Sequence, residues 1–258
     1  MKPIVVFAGV DGKAGTTMIA QSVAEWITEH LEDRSVLLLS LHGRPGTNYI
    51  DQKTPCLDEI RIPLENNLLN KQDLIAASKR NKRLYQIGGV TSLLDRRRFS
   101  VDIVSRLLRL FEDDFDLIII DAGNELDDGL TIGALQNASC FFCIVAQQES
   151  YLDQFTVLAD IYKQLEVEVS SIIVNQFEPK DSYGLPYIAK RLDIDPASLI
   201  PVTADRNGRM AEKKKKTLLH CGEKQYSLDI ATVAMSVLEH CGISQEPAKR
   251  RKGWKSFI

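Results

Sequence analysis

Two rhythms of apolar positions alternate along the chain. Short uninterrupted apolar runs recur at Pro3–Ala8, Ser35–Leu39, Leu84–Ile87, Leu117–Ile120, Phe141–Val145, Ser171–Val174 and Ser198–Val202. Runs of this kind suit strands buried on both faces, as in a parallel sheet covered by helices. Between them the period lengthens. Thr16–Leu31 carries Met18, Ile19, Val23, Trp26, Ile27 and Leu31 at helical spacing, and helices are also predicted at Val101–Phe111, Leu130–Gln136, Tyr151–Leu165, Leu185–Leu192 and Tyr226–His240. The alternation predicts an α/β fold: a single doubly wound, mostly parallel sheet with helices on both faces. In residues 51–75, Leu57, Ile60, Leu64, Leu68 and Leu69 predict short helices interrupted by Pro55 and Pro63.

Composition narrows the possibilities. A chain of 258 residues with 44% apolar side chains has ample material for one large core, which the pattern places in residues 1–243. Thirty-two Lys and Arg against 35 Asp and Glu give a net charge of -3, so bulk charge draws the protein to neither nucleic acid nor an anionic membrane. The cationic runs Arg96–Arg98 and Lys213–Lys216 lie among acids and read as solvated helix faces, which argues against nucleic acid as a partner. No apolar run approaches the roughly 20 residues of a membrane helix, and Met1-Lys2-Pro3 opens straight into a strand-like run. A cytoplasmic location follows as an expectation, with the five cysteines as reduced thiols. Cys140 and Cys143 are three apart in a strand, so their side chains point to opposite faces and belong to the core.

The strongest chemical signal is Gly9-Val-Asp-Gly-Lys-Ala-Gly-Thr-Thr17, a glycine-rich turn between the first strand and the first helix. Glycines let backbone N–H groups approach a phosphate, and the helix N-terminus adds partial positive charge. Laid on this loop with its second glycine at Gly15 and its hydroxyl at Thr17, the Walker A pattern puts its first glycine on Val10 and its lysine on Thr16. The loop's one lysine is Lys13. It either folds back to the phosphates in place of the missing cation or is an exposed loop residue, and the whole loop either binds phosphate or is a tight turn.

This loop, the apolar strand ending in Asp121, and Asn175 closing another strand together resemble the MinD/ParA family of deviant-Walker P-loop ATPases. Within that family the loop looks most like the CpaE/TadZ proteins of Flp (Tad) pilus assembly, in which G-x-x-G-x-x-G-x-[ST] commonly lacks the usual lysine. By element order the resemblance spans residues 3–240. It implies a P-loop NTPase fold, ATP and Mg2+ as cofactors, and a homodimer. Gly12, Lys13, Ala14, Gly15, Thr16 and Thr17 match the phosphate loop, Thr17 and Asp121 the magnesium ligands, and Asn175 the asparagine at the adenine edge. The departures carry equal weight. The family's signature lysine falls on Asp11, and Ser40 and His42 replace two aspartates that position magnesium and the attacking water. Weak or absent hydrolysis is therefore expected, because phosphoryl transfer depends on positioning and charge stabilisation. Two alternatives stand beside this reading: an active ATPase that uses Lys13, and a nucleotide-free scaffold.

Past residue 243 the composition changes. Lys249, Arg250, Arg251, Lys252 and Lys255, interleaved with Trp254, Phe257 and Ile258, put +5 on residues 247–258 and leave -8 on the rest of the chain. Cations for anionic headgroups and aromatics for the acyl boundary suit peripheral contact with the inner membrane face, and the same residues suit docking to a partner protein. MinD-type relatives place a membrane-targeting helix at this position. The expected function is that of an ATP-binding localisation or assembly factor attached to a membrane or to a pilus or secretion machine.

Overall fold

The computed structural model describes residues 2–42, 49–92 and 95–243. Its elements follow in the order β1 (Ile4–Gly9), α1 (Thr16–His30), β2 (Val36–Ser40), α2 (Leu57–Glu65), α3 (Lys71–Ser78), β3 (Leu84–Ile87), α4 (Val101–Phe111), β4 (Leu117–Asp121), α5 (Gly129–Gln136), β5 (Cys140–Ala146), α6 (Glu149–Gln164), β6 (Ser171–Phe177), α7 (Leu185–Leu192), β7 (Leu199–Thr203), α8 (Gly208–Lys214), α9 (Leu218–Cys221) and α10 (Lys224–His240). The strands form one parallel sheet in the order β3-β2-β4-β1-β5-β6-β7. Every residue of β1, β2, β4 and β5 is buried, which is why these strands read as unbroken apolar runs.

Alternation along each strand divides the interior in two. Ile4, Val6 and Ala8 of β1 face a core closed by α2 to α7, while Val5 and Phe7 face a second core closed by α1 and α8 to α10. Cys143 lies in the first core and Cys140 in the second, as their spacing requires; the Cys140 Sγ lies 3.9 Å from the Cys241 Sγ. No helix among the described residues is long and apolar enough to cross a membrane.

The chain winds from β1 toward β3, returns to place β4 beside β1, and then crosses to β5 on the other side. The strand order thus reverses around β1, and a crevice opens outside the carboxyl ends of the strands there. That is where the glycine loop lies.

The predicted elements are all present; β3, α4 and α7 keep their predicted ends and the others move by at most three residues. One prediction is corrected: Pro63 does not interrupt a helix but sits inside α2. Burial of Leu57, Ile60 and Leu64 holds the helix together, Glu59 caps its start by accepting from the Cys56 N–H at 3.2 Å, and the chain leaves the helix just after Pro63, at Asn66. The short α8 and α9 were not legible, because each has a single buried residue, Ala211 and Leu218. The contact expected of Lys249, Arg250, Arg251, Lys252, Trp254, Lys255, Phe257 and Ile258 lies outside the described residues.

Candidate functional site

The loop from Gly9 to Thr17 is shaped by close backbone packing. A Cβ on Gly9 would come 2.6 Å from the Thr16 Oγ1, and one on Gly15 would come 2.2 Å from the Asn175 Nδ2. Gly15 also takes φ 91, the left-handed region that glycine enters without strain. Lys13 occupies the same region with φ 67 and does so at a cost.

Three successive carbonyls of the loop are held by side chains from distant elements. The Tyr151 hydroxyl on α6 donates to the Gly12 carbonyl at 2.8 Å. From β6, the Gln176 amide donates to Lys13 at 3.2 Å and the Asn175 amide donates to Ala14 at 2.7 Å. With its carbonyls engaged this way, the loop is held in one conformation. The first intrahelical bond of α1 runs from the Ile19 N–H to the Gly15 carbonyl, so the N–H groups of Thr16, Thr17 and Met18 have no acceptor within the helix. A helix start of this kind attracts anions. One N–H is already taken: the Asp11 carboxylate accepts from Gly12 at 2.6 Å.

Behind the loop, β4 ends in Asp121, which is 1% exposed. Its carboxylate accepts from the Thr17 hydroxyl at 2.6 Å and from the Gly123 N–H at 3.1 Å, and its Oδ2 lies 3.4 Å from the His42 Nε2. Burial alone would raise the pKa of this carboxyl. The His42 imidazole, by charge and hydrogen bonding, together with the Thr17 hydroxyl and the Gly123 N–H, outweighs burial and holds Asp121 ionised below the usual range. Gly123, at φ 65, lets the backbone pass His42, whose Cβ would stand 2.8 Å from a Cβ added there.

These parts border a cleft of about 500 Å³. Lys13, Ala14, Gly15, Thr16 and Thr17 line it, and His42, Gly123 and Glu125 form another wall. Gly12 and Asn175 are not on its surface, and Asp121 lies behind it, covered by Thr17 and His42. Asn175, which the resemblance placed at the adenine edge, is 7% exposed, and its side-chain nitrogen is committed to the Ala14 carbonyl. Ser40 is buried in register with Asp121, whereas His42 faces the cleft. Asp11 stands at the cleft, so its negative charge bears on any anion bound there.

Several residues at the cleft were missed from the sequence. Tyr49, Glu212 and Lys215 line it, and Tyr151 and Gln176 brace its loop. The run Lys213–Lys216, read as a solvated helix face, is corrected in one member: α8 stops at Lys214, and Lys215 turns into the cleft. None of these residues belongs to a motif, so proximity in the fold was the only signal.

The donor set fits the cofactors that such a fold implies. A hydroxyl and a carboxylate oxygen 2.6 Å apart at a helix N-terminus are hard oxygen donors of the kind Mg2+ takes, and the N–H groups beside them suit phosphate. No protein-family model matches the sequence, and no curated protein matches it. Solved structures match over nearly their whole length. A ParA family ATPase from Chlorobium tepidum superposes with TM-score 0.79 at 20% identity, covering 91% of this chain and 99% of that one. The septum site-determining protein MinD of Pyrococcus horikoshii, complexed with Mg-ADP, gives 0.74 at 15% identity, covering 96% and 100%. An ATP complex of Cyanothece McdA gives 0.72 at 15% identity, covering 95% and 98%. The chain has the fold of the ParA/MinD P-loop ATPases.

Proposed function

We propose that this protein binds ATP with Mg2+ in the cleft above β1 and works as a positioning or assembly factor of the ParA/MinD kind, with slow or absent hydrolysis. The observation that carries the reading is the Thr17–Asp121 hydrogen bond at the base of a loop whose carbonyls are tied back. In this arrangement the N–H groups of the loop and of the first turn of α1 hold phosphate oxygens. Thr17 and Asp121 would hold Mg2+, which when bound neutralises phosphate charge. Asp121 stays ionised for that task because His42, Thr17 and Gly123 stabilise its carboxylate.

Low turnover follows from what surrounds this frame. At the end of β2, where carboxylates would polarise water, stand a buried hydroxyl, Ser40, and an imidazole, His42, that faces Asp121. Asp11 adds negative charge where a cation is expected. Nucleotide occupancy would then set conformation or dimer state, and the basic tail would attach that state to a membrane or, in the manner of CpaE/TadZ proteins, to a pilus or secretion machine. The rival reading, an active ATPase using Lys13, is favoured by the exposure of Lys13 to the cleft.

Calorimetric titration of refolded, nucleotide-free protein with Mg·ATP tests the binding, and phosphate release tests the turnover. Micromolar binding with negligible release is the expected result. No binding overturns the nucleotide reading, and release that vanishes in both Lys13→Ala and Asp121→Asn establishes the rival.

A further inference from the structure

A bound nucleoside triphosphate brings several negative charges to a cleft already lined by Asp11, Glu125 and Glu212, and the loop answers with one cation, Lys13. A second cation reaches the same cleft from the far end of the chain. We propose that Lys215 is the phosphate-binding lysine of this site, closing on the triphosphate from α8 while the loop holds it from α1; the inference rests on the ATP reading above.

Backbone conformation is the first argument. Lys215 caps α8 at φ 52, where the chain reverses through bonds from the Lys215 N–H to Glu212 and from the Lys216 N–H to Ala211. Helices end this way most often on glycine, because a side chain in the left-handed region is strained. Lys13 is left-handed as well, so the two lysines that line the cleft share this strained conformation. The same conformation ends α7 at Asp193, away from the cleft, so at Lys215 its part is to fix the direction in which the chain turns.

Placement is the second argument. Lys215 stands between two anchors: Ala211, fully buried in the second core, and Thr217, fully buried and donating its hydroxyl to Glu25 of α1. The Leu218 N–H then meets the Met18 Sδ at 3.2 Å, and Met18 belongs to the first turn of α1, beside the orphan N–H groups. The backbone at Lys215 is thereby fixed relative to the phosphate end of the loop. Within the run Lys213–Lys216, Lys215 is the member that faces the cleft, and the described ion pairs leave both it and Lys13 unclaimed.

The full-length protein tests this by calorimetry with Mg·ATP, Mg·ADP and adenosine. Lys215→Gly removes the ammonium while suiting the left-handed backbone, so the variant keeps its fold, and a thermal melt no lower than that of the wild type verifies this. The expected result is a loss of about tenfold or more in Mg·ATP affinity, a smaller loss for Mg·ADP and none for adenosine. Lys215→Arg should restore most of the affinity, and Lys214→Ala should leave it unchanged. If the wild type binds Mg·ATP and Lys215→Gly binds it equally well, the role of Lys215 is overturned and the ATP reading stands. If the wild type binds no nucleotide, the ATP reading falls and this inference with it.

Discussion

Gly15 and Asn175 carry the tightest constraint in the site. The left-handed backbone at Gly15 would cost an alanine about 1–2 kcal/mol, and its Cβ would also collide with an amide 2.2 Å away. Removing that amide has its own cost, because the buried Ala14 carbonyl loses its donor, worth about 1–3 kcal/mol. The two changes should therefore not add. Gly15→Ala is expected to destabilise strongly in the wild type but only by the backbone term in an Asn175→Ala background, with a coupling of about 1 kcal/mol or more in a urea double-mutant cycle. Simple additivity would mean the loop yields without touching β6. At this scale the sequence reveals motif members and little else. Thr17 and Asp121 were legible because a loop and a strand end fix them, while Tyr151, Gln176, Tyr49 and Lys215 arrive from separate elements with no spacing in common. Asn175 was legible as a site residue, but its work as a brace appears only once β6 is seen beside the loop.

Strand runs were readable because burial on both faces leaves no polar position in the middle of the sheet. Short helices were not, because the four residues of α9 are too few to show a period; beside the packing of Leu218, side-chain contacts with α1 hold it. Glu25 of α1 accepts from the Thr217 hydroxyl, and the His220 Nε2 lies 3.2 Å from Glu25 and 3.4 Å from Glu29. The hydrogen bond to Glu25 outweighs burial and, with the charges of Glu25 and Glu29 opposed by Lys216, raises the His220 pKa above its ordinary value. A raised folded-state value means that the folded protein holds the proton more tightly. The stabilisation is complete below the unfolded value of about 6.5 and is lost as pH rises through the folded value. His220 has a side chain 38% exposed, so solvent screening limits the effect to about 0.5 kcal/mol. Unfolding free energies from urea titrations at mildly acidic to mildly alkaline pH should decline by that amount in the wild type, beyond the decline seen in His220→Gln. Identical slopes would remove α9 from the pH response.

For the whole molecule the governing feature is the opposition of charge between body and tail. Ile243, the last of the described residues, packs against the second core. A body of -7 is repelled by an anionic surface, and a tail of +4 is drawn to it. At about 1 kcal/mol per basic residue near the membrane, one tail gives only weak, reversible binding. Two tails on one particle would raise it steeply, since the second engages at the high effective concentration set by the first. The full chain should therefore sediment with phosphatidylserine vesicles at low salt and be released as the Debye length falls below about 8 Å. A chain ending at Ile243 should stay in solution while binding Mg·ATP as before. If that shorter chain sediments equally well, the body and not the tail makes the contact. Addition of Mg·ATP then separates a monomer from a switch: sedimentation that rises with nucleotide requires ATP to bring two tails together, and sedimentation indifferent to nucleotide uncouples the cleft from attachment.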